Sequence, residues 1–134
     1  MYPASALRNY QQVSTQSQLA EATPHRLIQM LYEGALDRIA QAQGAMARGQ
    51  TSEKGVLIGK AINIINGLRQ ALDKDKGGEY ADNLEGLYEF MSQRLLQANL
   101  KNDPSSLELV SSLLRKVKDG WDGIAPAPAP IQGA

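Results

Sequence analysis

Residues 23–49 read TPHRLIQMLYEGALDRIAQAQGAMARG, and this stretch decides the fold. Thr23 can cap free amide groups and Pro24 suits the first helical position, so a helix is predicted to start at Pro24. Leu27, Ile28, Leu31, Tyr32, Ala35, Ile39, Ala42 and Met46 then recur at about 100° per residue, forming one apolar stripe. Gly49 supplies a stop.

The same grammar repeats along the chain. A second helix is predicted from about residue 51 to residue 74, with Leu57, Ala61, Ile64, Ile65, Leu68, Ala71 and Leu72 inward. Gly77-Gly78 breaks the pattern. A third, from about residue 79 to residue 100, turns Tyr80, Ala81, Leu84, Leu87, Tyr88, Met91, Leu95 and Ala98 inward. Asp103 and Pro104 restart the chain as cap and first turn. The fourth runs to about residue 122 and offers Leu107, Val110, Leu113, Leu114, Val117 and Trp121.

Amphipathic helices joined by such short connections predict an all-α fold, an antiparallel up-down four-helix bundle. One domain is expected, with residues 1–23 as an N-terminal arm, 24–122 as the bundle and 123–134 as a Pro/Ala-rich, solvated tail.

Composition limits what such a bundle can do. Of 134 residues, 14 are basic and 14 acidic, so the balanced charge argues against nucleic-acid and membrane-surface partners. There is no cysteine and one histidine, which excludes thiolate chemistry and multi-histidine metal sites. No segment reaches the ~20 apolar residues needed to span a bilayer. The N-terminus also lacks a secretory pattern, so residence in the cytoplasm is expected.

Chemical motifs fail one by one. Residues 73–78 resemble the start of a calcium loop, but Leu84 stands where a bidentate Glu is needed. Residues 44–51 miss a phosphate-binding loop, because Gln50 replaces its Lys and no strand precedes it. His25 sits in a first turn, whereas phosphotransfer wants a mid-helix histidine. Arg115, Lys116 and Lys118 read as a solvated helix face. No catalytic residue, metal site or cofactor is expected.

The outer faces of the second and third helices carry the useful signal. Gly55, Ile58, Gly59, Ile62 and Asn66 are expected outward on one, and Glu79, Asn83, Gly86, Phe90, Gln93 and Gln97 on the other. An exposed mid-helix Gly costs about 1 kcal/mol relative to Ala. Small and apolar residues placed outward suggest a shallow uncharged groove for a partner peptide. The predicted groove comprises Ile58, Ile62, Asn66, Asn83, Gly86 and Phe90. Leu7 and Tyr10, apolar anchors in the polar arm, are candidates to fold back into it as a plug; packing permanently on the bundle is the other reading.

Ordered blocks of sequence carry a family likeness. Tyr10-Gln11-Gln12-Val13-Ser14 is followed by Ala22-Thr23-Pro24-His25-Arg26-Leu27-Ile28-Gln29-Met30-Leu31-Tyr32-Glu33-Gly34-Ala35. Lys60-Ala61-Ile62-Asn63-Ile64-Ile65, Lys76-Gly77-Gly78-Glu79, Leu95-Leu96-Gln97-Ala98-Asn99-Leu100 and Trp121 continue it. Across roughly residues 1–122 the chain resembles the FliS family of flagellin export chaperones.

That resemblance implies a cytoplasmic bundle binding the disordered C-terminal segment of flagellin. Such a chaperone prevents premature polymerisation and delivers its client to the flagellar type III export apparatus. The family likeness also implies an arm that lies over part of the binding surface, a role that falls to Leu7 and Tyr10 in this chain. It further implies an additional partner, an anti-sigma factor or another assembly regulator, which the sequence assigns to no residue. Two alternatives stand beside this reading: a flagellar regulatory adaptor or scaffold bundle, and a histidine phosphotransfer bundle using His25.

Overall fold

A computed structural model describes residues 23–124. The arm residues Leu7 and Tyr10 and the tail beyond residue 124 lie outside the described residues. Among the described residues four helices follow in order: α1 (Pro24–Ala47), α2 (Thr51–Gln70), α3 (Lys74–Lys101) and α4 (Pro104–Asp122). The all-helical expectation is met. The chain divides into two compact units, and Gln29–Ile124 holds the packed helices. Of the other unit, only residues 23–28, the capped first turn of α1, are described.

The helix ends follow the predicted chemistry. Thr23 Oγ1 accepts from the amide of Arg26 at 3.1 Å. Gly49 adopts φ +70°, and the amide of Gln50 reaches back to the carbonyl of Ala45 at 2.9 Å, closing α1 with a left-handed cap. Asp103 accepts from the amide and hydroxyl of Ser105 at 3.0 and 2.6 Å and from Ser106 Oγ at 3.0 Å. Those bonds, led by the Ser105 hydroxyl, hold its carboxyl below the usual range.

The α2–α3 connection differs from expectation. Helix α2 stops at Gln70 rather than near residue 74, leaving Ala71 exposed. Asp73 has an extended backbone and caps α3 by accepting from the amide of Lys76 at 3.1 Å. The helical pattern is then interrupted at Gly78 (φ +55°, ψ −129°), a conformation that glycine tolerates best. Tyr80 follows this break and is 57% exposed instead of buried.

The core joins Tyr32, Ala35, Ile39, Ala42 and Ala45 of α1 to Leu57, Ile58, Ala61, Ile65 and Leu68 of α2. Helix α3 adds Ala81, Tyr88, Met91, Leu95 and Ala98, and α4 adds Leu107, Val110 and Leu114. Tyr32 and Tyr88 meet inside, hydroxyl to hydroxyl, at 2.5 Å. Burial raises both phenol pKa values; for Tyr32 the bond to Tyr88 adds to the shift.

Ile58 is a correction. Expected outward, it is 1% exposed. Lys54, Ile58, Ala61, Ile65 and Leu68 are all buried and recur at spacings of three and four, which fixes the inward stripe of α2. Ile64 falls to its edge and is half-buried, and a Cβ placed on Gly34 of α1 would stand 3.4 Å from its Cδ1.

Candidate docking surface

Two polar ties hold α2 against α3. At the start of α2, Lys54 is 2% exposed, an unusual position for a lysine. Its ammonium donates to the carbonyl of Asn99 at 3.0 Å and to Asn102 Oδ1. Asn102 is the left-handed cap of α3 (φ 49°, ψ 51°), so Lys54 places a cation at a helix C-terminus, where the dipole favours it.

At the other end, Arg69 Nε donates to Glu85 at 3.2 Å, and an Arg69 nitrogen lies 4.0 Å from Glu89. Lys74 completes the cluster at 2.7 Å from Glu85. The Lys74 hydrogen bond, then that of Arg69, holds the Glu85 carboxyl below its ordinary value.

Lys54 with Asn99 and Arg69 with Glu85 share nearly the same antiparallel register. In that register Ile62 lies level with Ser92, and Gly59 lies within one turn of Leu96. Between the ties the seam is uncharged. Gly55 approaches the side chain of Asn99, where an added Cβ would stand 3.7 Å from Oδ1. A Cβ on Gly59 would meet nothing within 4 Å, so backbone is open to approach there. Ile62 is half-buried and Asn66 exposed on this flank of α2. Leu96 is 53% and Leu100 81% exposed on the facing part of α3. The Ser92 hydroxyl is buried without a hydrogen-bond partner.

The predicted groove residues therefore separate. Glu85, Glu89 and Asn99 define the side of α3 that faces α2, and Leu96 lies within about 20° of their mean direction. Phe90 lies about 140° from it, with Asn83 on the same far flank and Gly86 between the two. Ile62 and Asn66 thus share the α2–α3 seam, Phe90 and Asn83 turn toward α4, and Ile58 is in the core. Leu96, Leu100 and the 58%-exposed Val56 were missed as outward apolar residues. The Leu95-Leu96 doublet held a clue, since only one of two adjacent residues can enter a helix's buried stripe.

Among the described residues, no helix is long and apolar enough to cross a membrane, and no group of three acidic, His or Cys residues could hold a metal. His25 lies half-buried in the first turn of α1.

The chain matches the family model described as flagellar protein FliS over residues 6–128. It is 59% identical over 125 residues to the flagellar secretion chaperone FliSB of Pseudomonas aeruginosa, covering 93% of this chain and 99% of that one. It is 46% identical over 127 residues to the flagellar secretion chaperone FliS of Salmonella typhimurium, covering 94% of each. The corresponding Escherichia coli chaperone is 41% identical over 133 residues, 98% of each. Matched by the family model over residues 6–128 and by these relatives over nearly its whole length, the chain belongs to the FliS family of flagellar secretion chaperones, which are chaperones rather than enzymes.

Proposed function

We propose that this protein is a cytoplasmic export chaperone for flagellin. It binds the disordered C-terminal segment of the client, prevents premature polymerisation and delivers it to the flagellar type III export apparatus. One observation carries the reading. The α2–α3 seam is pinned by polar ties at its ends, while Gly59, Ile62 and Leu96 leave an uncharged trough between them.

Such a trough suits a peptide that folds as it binds. Open glycine backbone admits close approach, and Ile62, Leu96 and Leu100 offer apolar contacts for the spaced anchors of an amphipathic helix. Coupled folding can bury on the order of 1,000–3,000 Å² while ordering costs several kcal/mol, leaving an affinity compatible with release. Asn66 supplies a polar edge to the same trough. Leu7 and Tyr10 act as a displaceable plug over it, and an anti-sigma factor or other assembly regulator is a further partner.

Calorimetry with the isolated C-terminal segment of flagellin tests the reading. Ile62→Asp and Leu96→Asp are expected to abolish binding while helicity is kept. Unchanged binding in both folded variants overturns the assignment of the trough. Deleting residues 1–12 is expected to tighten client binding or leave it unchanged; a marked loss makes the arm part of the site.

A further inference from the structure

Helix α3 has a second flank, and its chemistry differs. Leu87, Phe90 and Arg94 follow one another at helical spacing on the side turned from α2. Phe90 is 42% exposed, and the Arg94 guanidinium carbon stands 5.9 Å from its ring centroid, within cation–π range. Arg94 has no hydrogen bond or ion pair among the described residues, and its Nε is buried without a partner.

Helix α4 faces this flank. Its other side is turned to α1, where Gln43 donates to Glu108 at 3.2 Å and Gln29 donates to Asp122 at 2.8 Å. Arg115 also pairs with Glu108 at 3.9 Å, and Lys118 with Asp122 at 2.6 Å. The basic cluster in the sequence is therefore split by the helix. Lys116 points about 100° from Arg115, onto the stripe of half-buried Leu109 and Leu113, and is exposed with no ion pair among the described residues.

Signs are segregated across α3. Glu85 and Glu89 serve Arg69 on the α2 side, whereas Arg94 on the α4 side pairs with no carboxylate among the described residues. Among the described residues neither Arg94 nor Lys116 pairs with a carboxylate, so the middle of the α3–α4 seam is apolar and cationic. The geometry points to a second docking surface on this flank, taking an acidic amphipathic helix of another protein, with apolar anchors against Phe90 and Leu113 and carboxylates on Arg94 and Lys116.

The occupant follows from charge complementarity. The chain's own ends do not supply it: residues 1–23 carry one Arg and one Glu, and residues 123–134 no charge. This surface is separate from the trough assigned to flagellin, so the two can fail independently.

A synthetic amphipathic helical peptide of about 16 residues, with Leu anchors flanked by Asp and Glu, tests the inference on the full chain. Its twin carries Lys in place of every acid. Fluorescence anisotropy is expected to show the acidic peptide binding at least about tenfold more tightly, with the preference fading as salt rises. Phe90→Ala and Lys116→Glu are each expected to remove that preference with the circular dichroism unchanged, and Ile62→Asp is expected to preserve it. Equal binding of the twins overturns the inference, as does loss in Ile62→Asp with retention in Lys116→Glu. Dimerisation of the free protein that Lys116→Glu abolishes also overturns it, since a second copy then owns the surface.

Discussion

Toward α2, helix α3 offers Glu85 and Glu89 to Arg69 and leaves Leu96 and Leu100 uncovered; toward α4 it sets Phe90 and Arg94 beside the stripe of Leu113 and Lys116. The first seam uses its charges at the ends and keeps its middle neutral. The second keeps cations in the middle, and among the described residues no carboxylate pairs with them. A chain with zero formal net charge can therefore hold a polarised surface, because a period of 3.6 residues sorts alternating signs onto different flanks. Recognition at the first seam should depend on shape and apolar contact, and at the second on charge as well.

The largest effect separates the seams from the core beneath them. Leu68→Asp puts an unpaired charge at a 2%-exposed position, and the expected loss of several kcal/mol is comparable to the whole stability of a small domain. Ile62→Asp, six residues earlier on the same helix, is expected to shift the melting midpoint by only a few degrees. Its cost appears in flagellin binding, at about 2 kcal/mol or more, roughly thirtyfold. A folded Leu68→Asp protein, or an unfolded Ile62→Asp one, would break the distinction between wall and trough.

Next is the buried tyrosine pair. Tyr32→Phe strands the hydroxyl of Tyr88 and should cost about 1–3 kcal/mol in urea unfolding, whereas replacing both tyrosines by Phe should be nearly neutral. Both phenol pKa values lie above the ordinary 10.0 in the folded chain. Their contribution is therefore complete below pH 10 and declines as pH rises beyond it; the double Phe variant should show a flatter alkaline profile.

Lys54→Met removes one end tie and leaves the Asn99 carbonyl without its ammonium donor, for an expected loss of about 1–2 kcal/mol. The smallest change sharpens the comparison most. Gly59→Ala should stabilise the bundle by up to about 1 kcal/mol, because its Cβ enters open space on a helix, while weakening flagellin binding a few-fold. Higher stability with unchanged binding would show that the open backbone at Gly59 serves no client.

The sequence made much of this architecture legible. Thr23, Gly49 and Asp103 are local signals acting on local amides, so the helix ends can be read directly from residue chemistry. Periodicity also identified most of the core. It failed where phase mattered: Ile58 and Leu57 are adjacent, and only packing decides where the centre of the inward stripe falls. Tyr80 escaped because it stands in the first turn after the break at Gly78, where its neighbour Ala81 takes the buried position. The surface was harder still. Ile62 and Phe90 are both outward on their own helices, but whether two outward residues meet depends on which flank each neighbour covers. That information resides in long-range ties such as Lys54 to Asn99, which no local pattern announces.

The most direct measurement is an amide chemical-shift titration of the full chain with the C-terminal segment of flagellin. The expected result is a set of saturating shifts centred on Gly59, Ile62 and Leu96, with Leu113 and Lys116 unmoved. Shifts centred on Phe90, Leu113 and Lys116, with the α2–α3 seam silent, would contradict the assignment of flagellin to the neutral trough.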